Sequence, residues 1–154
     1  MSQARPLPEP DELSAPFWAA AAKGRLEIQR CGGCGVYHFP AVVACPDCAG
    51  TDLRYEQVSG RGRVFSVTET AAGARHEWHR RRLPYLVGLV ELVEQPGLLL
   101  LTNFPRDARD DVRTGRQVRF HAEPVTEEIG LPQFHVAADV EGPAELSGGA
   151  GVTS

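Results

Sequence analysis

All four cysteines of this 154-residue chain fall in two C-x-x-C pairs, Cys31-Gly-Gly-Cys34 and Cys45-Pro-Asp-Cys48, with ten residues between them. Two thiolates two residues apart on a tight turn can point at one tetrahedral ion, and a second such turn supplies the other two corners. Gly32, Gly33, Gly35 and Gly50 let the backbone fold closely around the sulfurs. Arg30, with Lys23 and Arg25 further back, can offset part of the net charge of about −2 that four thiolates leave around Zn²⁺. The spacing predicts a zinc ribbon whose closed site, Cys31, Cys34, Cys45 and Cys48, holds structure and does no chemistry. The competing readings are two disulfides, a redox dithiol, four free core thiols, or iron in a rubredoxin-like site. Disulfides need an oxidising compartment, which nothing in the sequence indicates, and a redox motif does not come in two copies at ribbon spacing. His38 follows Cys34 by four residues and is expected beside the metal on a strand, since four cysteines already complete the site.

Charge and hydropathy remove other classes. A net charge of −4 and a pI near 5.7 give no overall basic field to draw the chain to nucleic acid or to an anionic membrane. The leucine run Leu98 to Leu101 is far short of a membrane span. The opening Met-Ser-Gln-Ala-Arg-Pro-Leu-Pro-Glu-Pro lacks the apolar core of a signal peptide, so a cytoplasmic location is expected.

Along the chain, residues 1–13 are proline-rich and polar and read as a flexible lead. Ser14 to Gly24 carries helix signals: a capping Ser14 or Ala15, Pro16 in the first turn, an alanine run and a terminating Gly24. Phe17 and Trp18 are adjacent and cannot share one narrow face with Ala21. Either one of them is offered to a partner or both tuck against the ribbon. Arg25–Arg30, Val36–Pro40 and Leu53–Val58 read as the short strands of the ribbon, which places 14–58 in one unit. A second unit is expected over 59–138, opened by Ser59-Gly60-Arg61-Gly62 and built from five strands. They are Arg63–Thr70, Pro84–Val93, Leu98–Phe104, Gln117–Glu123 and Pro132–Ala138, with a hairpin turn at Gln95-Pro96-Gly97. In the first of these, Phe65 and Val67 are expected on one face, with Val64, Ser66 and Thr68 on the other. A short helical turn over Asp107–Gly115 after the third strand suits an OB-type barrel. The fold class is therefore mainly β: a helix and zinc ribbon, then a five-stranded OB-fold. Residues 139–154 read as a disordered tail.

No catalytic set emerges. The cysteines are committed to metal, and neither G-x-S-x-G nor H-E-x-x-H occurs. The most chemically loaded stretch is Gly73-Ala-Arg-His-Glu-Trp-His-Arg-Arg-Arg-Leu83. Arg75, Arg80, Arg81 and Arg82 can fork onto phosphate, and Trp78 can stack or be buried, which makes an anion- or partner-binding arm. The alternative is a solvated loop. His76 and His79 lack a third ligand for a second metal.

Several segments together resemble a known family. They are Pro16-Phe17-Trp18, Gly24-Arg25-Leu26, Gln29-Arg30-Cys31-Gly-Gly-Cys34-Gly35, Phe39-Pro40, Cys45-Pro46-Asp-Cys48, Gly60-Arg61-Gly62-Arg63-Val64-Phe65-Ser66, Pro84-Tyr85-Leu-Val-Gly-Leu-Val-Glu91, Leu101-Thr102-Asn103, Gly115-Arg-Gln-Val118 and Leu131-Pro132-Gln-Phe134. The family is the acyl-CoA-associated one in which a rubredoxin-like zinc ribbon precedes an OB-fold, long catalogued as a domain of unknown function. The resemblance implies a non-catalytic subunit in a hetero-oligomer with a thiolase-like enzyme (thiolase, acyltransferase or aldolase) or an acyl-CoA hydratase-like chain. It implies structural zinc, a CoA thioester as ligand of the complex, and a role bordering the acyl-CoA channel. Phe17, Trp18 and Trp78 are then the expected partner anchors, with the four loop arginines at the rim or on CoA phosphates. The rival is a single-stranded nucleic-acid binder, since ribbons and OB barrels both serve that role. It needs a basic groove with spaced aromatics, whereas the strands carry Ser66, Thr68, Glu69, Glu91 and Glu123. Neither nucleic acid nor membrane is expected as a partner.

Overall fold

The computed structural model describes residues 4–137; the start of the expected lead and the expected tail at 139–154 lie outside them. The chain opens its regular structure with helix α1 (Ala15–Ala22), followed by β1 (Glu27–Cys31), β2 (Tyr37–His38) and β3 (Leu53–Gln57). These strands form an antiparallel sheet in the order β2-β1-β3. Then come β4 (Arg61–Thr70), a one-turn helix α2 (Glu77–Arg80), β5 (Tyr85–Leu92), β6 (Leu99–Phe104), β7 (Gln117–Pro124) and β8 (Gly130–Val136). They make a five-stranded sheet in the order β6-β5-β4-β7-β8, with a 3₁₀ turn at Arg106–Ala108 after its third strand. The architecture is the mainly-β helix, ribbon and OB-fold order expected from the sequence. Strands β6 and β8 approach without a ladder, and there the Thr102 hydroxyl lies 3.5 Å from Gln133 Oε1. Among the described residues no helix is long and apolar enough to cross a membrane.

Helix α1 begins as expected, with Pro16 in the first turn and Ser14 at the cap position. The Ser14 hydroxyl does not cap; it donates to Asp11 Oδ1 at 2.6 Å, and the same oxygen accepts from the Ser14 N–H. Gly24, at φ +78°, closes the helix in the left-handed conformation that glycine adopts at low steric cost. Phe17, Ala20 and Ala21 are buried at three- and four-residue spacing, so the helix presents one apolar face. The alanines on it are small for a reason. A Cβ at Gly130 of β8 would come within 2.2 Å of the Ala21 carbonyl carbon, so helix and strand backbones touch there.

One apolar core runs through both sheets. It includes Phe17 of the helix, Leu26, Ile28 and Val58 from the ribbon side, and Val64, Val90, Leu100 and Phe134 from the barrel. The sheets are also tied by polar contacts. Gln95, in the turn between β5 and β6, accepts from the Tyr37 N–H at 2.8 Å and donates to the Tyr37 carbonyl at 3.0 Å. A side-chain amide here completes the unpaired backbone of a ribbon strand, as a neighbouring peptide would.

One expectation about side-chain facing is corrected. The β4/β5 register slips between Val64 and Ser66, a bulge that puts an extra residue in β4. The phase of alternation changes there. Val64 is buried and Val67 half-buried, while Phe65 is 48% exposed. Phe65 and Val67 therefore do not share a face.

The contact at Gly130 generates a prediction. Gly130→Ala forces two backbones apart and should cost about 1–3 kcal/mol, the usual range for overpacking. A thermal melt should show a fall of several degrees; an unchanged midpoint would mean that the helix is not seated as described.

Candidate metal centre and aromatic cleft

The two cysteine turns fold by the same rule. In the first, the Gly35 N–H donates to the Cys31 carbonyl at 2.8 Å and the Cys31 N–H donates to Val36 O at 2.9 Å. In the second, the Ala49 N–H donates to the Cys45 carbonyl and the Cys45 N–H to Gly50 O, both at 2.8 Å. The residue after each pair must take positive φ: Gly35 has +79°, and Ala49 adopts +58° despite its Cβ. A Cβ at Gly50 would stand 3.2 Å from Cys48 Sγ, so the second turn leaves that position little room for a side chain.

These turns bring Cys31, Cys34, Cys45 and Cys48 together, with every sulfur within 4.8 Å of every other. Cys31 Sγ lies 3.6 Å from Cys48 Sγ and Cys34 Sγ 3.5 Å from Cys45 Sγ. Such separations exceed a disulfide bond of about 2.05 Å. They approach the edge of about 3.8 Å that a tetrahedron with metal–sulfur bonds of about 2.3 Å would have. The donor set fits one tetrahedral, thiophilic ion such as zinc. The thiols also cannot all ionise unaided. The Cys34 backbone N–H, ahead of other hydrogen bonds, holds the Cys31 thiol down at about 7. Cys34 is pushed up to about 12: the Val36 N–H favours its thiolate, but desolvation and the neighbouring sulfurs outweigh it. A divalent cation at the centre removes that conflict.

His38 is 8% exposed, and its Nε2 lies 3.3 Å from Cys45 Sγ, beside the cluster as the sequence suggested. Arg30 does not point its charge at the sulfurs. Its Nε donates to Gly35 O at 2.9 Å, bracing the first turn, and its Nη1 pairs with Glu56 at 3.1 Å.

The loaded loop folds into α2. His76 Nδ1 accepts from the Trp78 N–H at 3.2 Å and so caps the helix. Glu77 holds both Arg80 and Arg81, the latter at 3.0 Å, which commits those two arginines to their own helix. Arg75 is exposed on the approach to the helix. Arg82 turns back instead, with its guanidinium carbon 3.6 Å from the centre of the Trp78 ring, and Arg5 approaches the same ring at 4.9 Å. Both are cation–π distances. His79 packs edge-on against Trp78 and is tilted toward Tyr85, at 5.0 and 5.8 Å between ring centres. Burial first, then the neighbouring His76, Arg5 and Arg82, hold the His79 imidazole below its ordinary range, which favours its neutral form.

Trp78, Arg82 and Arg5 border a cleft of about 340 Å³ that also takes in Trp18, Tyr85 and the β6/β8 approach at Thr102 and Gln133. Of the two adjacent helix aromatics, Phe17 is 4% exposed and belongs to the core, edge-on to Trp18 and tilted against Phe39, so Trp18 is the one that reaches the cleft. The structure thus joins Trp18, Trp78 and Arg82, from segments sixty residues apart, and leaves Arg75, Arg80 and Arg81 off the cleft lining. Arg5 is the lining arginine that sequence reasoning missed, because nothing in a proline-rich lead marks one arginine as an anchor. It is held there by Glu123 at 2.6 Å.

Comparison with known proteins agrees with this architecture. The model of the ChsH2 rubredoxin-like zinc ribbon domain matches residues 18–54, and that of the ChsH2 C-terminal OB-fold domain matches 55–123. A probable enoyl-CoA hydratase alpha subunit from Thermomonospora curvata is 34% identical over 138 residues, which is 89% of this chain and 41% of that protein. Benzoylsuccinyl-CoA thiolase subunit BbsA from Thauera aromatica is 33% identical over 88 residues, 55% of each. The chain therefore spans about half, or less, of the length of these curated relatives. A solved chain described as Ltp2-ChsH2(DUF35) aldolase superposes with a TM-score of 0.73 at 32% identity, covering 86% of this chain and 100% of that one. With ribbon and OB-fold matched in order and a solved relative aligned over its whole length, this chain belongs to the ChsH2 family of rubredoxin-like zinc ribbons joined to a C-terminal OB-fold.

Proposed function

We propose that this chain is a non-catalytic subunit of a thiolase-like enzyme (a thiolase, acyltransferase or aldolase) acting on acyl-CoA, and that it borders the acyl-CoA channel of that complex. The observation that carries the reading is the cleft at the β6/β8 approach. It gathers both tryptophans of the chain and two guanidiniums, yet no activated nucleophile faces it among the described residues. Such a surface binds and positions but does not cleave. Two relatives support the assignment, one being a thiolase subunit and the other part of an aldolase described by both its components. The hydratase name of a third leaves an acyl-CoA hydratase-like chain as the alternative partner. On this reading 14–58 holds one structural zinc through Cys31, Cys34, Cys45 and Cys48, and 59–138 carries the barrel. The chain alone turns over no acyl-CoA.

Within the complex, Trp18 and Trp78 anchor the partner over the core aromatic Phe17. Arg82 and Arg5 keep a positive potential at the cleft; Arg75, Arg80 and Arg81 stand off its lining and meet the phosphates of CoA, Arg80 and Arg81 exchanging their exposed pairs with Glu77 to do so. No nucleic-acid role is proposed: the exposed residues of the barrel strands include Glu69 and Glu123, and Glu91 is bound to Arg63.

Two experiments test this reading. Freshly purified protein should hold one zinc per chain, and serine at any one of the four cysteines should release it and unfold the ribbon. Metal supplies about 10 kcal/mol or more in small zinc domains, which the ribbon's own core cannot replace. Less than half an equivalent of zinc or iron by elemental analysis would overturn the metal assignment. Second, Trp18→Ala or Trp78→Ala should weaken co-purification with the thiolase-like subunit by about 2 kcal/mol, roughly thirtyfold, with the metal retained. Charge reversal at Arg80 and Arg81 should raise the KM for acyl-CoA at low salt while assembly persists. Undiminished partner binding by both tryptophan variants places the interface elsewhere, and an unmoved KM makes the arginines merely solvated.

A further inference from the structure

The barrel carries a second and larger concavity, about 790 Å³, with a different lining. Arg61 of β4 stands directly opposite Arg119 of β7, and Arg119 stands opposite His135 of β8. Residues so paired project to the same face. The three make one exposed row across three adjacent strands, and all three line the concavity. Two like charges placed directly opposite each other cost a sheet stability. Eight arginines pair with carboxylates among the described residues; Arg61 and Arg119 are not among them. The nearest acidic groups on the strands are already engaged. Glu91 accepts from Arg63 at 2.7 Å and from the Gly97 N–H at 2.9 Å. Glu123 accepts from Arg5 at 2.6 Å and from Gln133 at 3.3 Å. His121 Nδ1 lies 3.4 Å from His135 Nδ1, so the end of the row carries a pair of imidazoles.

We propose that the Arg61–Arg119–His135 row is a binding site for a compact phosphate-type oxyanion. Two guanidiniums side by side can grip one tetrahedral oxyanion through several charge-assisted hydrogen bonds, and bound anion turns their mutual repulsion into attraction. The concavity has the size of a small-molecule site, for which about 300–1,000 Å³ is usual. Charge placement favours a compact anion over a long one. Glu91 lies toward one side of the row and Glu123 toward the other along the strands, so an extended polyanion would meet carboxylates at both ends. The argument uses neither the acyl-CoA reading nor the aromatic cleft.

The test is a titration of the intact, zinc-loaded chain with inorganic pyrophosphate, read by calorimetry at low salt in phosphate-free buffer. Saturable one-to-one binding is expected, weakened at least tenfold in both Arg61→Gln and Arg119→Gln. Both variants should melt at or above the wild-type temperature, because each removes one of two opposed charges. A hexaglutamate peptide at the same ionic strength should bind at least tenfold more weakly than pyrophosphate. The proposal is overturned by a wild-type chain that does not saturate, by variants that bind pyrophosphate undiminished, or by hexaglutamate binding as tightly. A lowered melting temperature in both variants would also overturn it, since the arginines would then be holding the sheet and not a ligand.

Discussion

The structure depends on the close seating of α1 against β8. Ala21 and Gly130 meet backbone to backbone, and that contact lets Phe17 drop into a core shared by the ribbon and the barrel. A three-stranded ribbon is too small to bury much apolar surface by itself. Here it draws on Val64, Val90 and Phe134 from the larger sheet, while Gln95 completes the backbone pairing of Tyr37 from the same side. The helix is the joint between two sheets more than a decoration of either one.

The metal centre rests on a different economy, one of geometry. The two turns repeat each other bond for bond, down to the left-handed residue that ends each of them. Such repetition is how two unrelated loops can present four sulfurs as corners of one polyhedron without long connecting segments. His38, buried against Cys45, adds a polar neighbour on the inner side, while Cys34 and Cys48 lie toward solvent. Sulfur chemistry and packing are thereby separated: two of the four sulfurs lie toward solvent, while Leu26 and Ile28 of the ribbon join the core shared with the helix.

Much of this was legible from residues alone. Cysteine spacing announced the metal site, alternating apolar runs announced the barrel strands, and the alanine-rich stretch closed by Gly24 announced the helix. What escaped reading was set by contacts between distant segments. The bulge after Val64 follows from how β4 must pair with β5, not from any turn residue within it. Ala49 is no glycine, yet it occupies the position that Gly35 fills in the sister turn, because its hydrogen bond to Cys45 imposes the conformation. Gly130 reads locally as an unremarkable loop-to-strand residue; its necessity lies in a helix more than a hundred residues earlier. Arg5 was invisible for the same reason, since its partners Trp78 and Glu123 come from the far end of the fold.

The cleft also gives the molecule an internal light source. The chain has two tryptophans, Trp18 and Trp78, and both border the same concavity. Its indole emission therefore originates at one place, with no background from a tryptophan elsewhere. The Trp78 ring lies against the guanidinium of Arg82, so an anion that draws this arginine away, or an acyl chain that displaces water from the cleft, changes the polarity around the emitter directly. Spectral shifts of the folded, unlabelled protein therefore read the occupancy of this one surface.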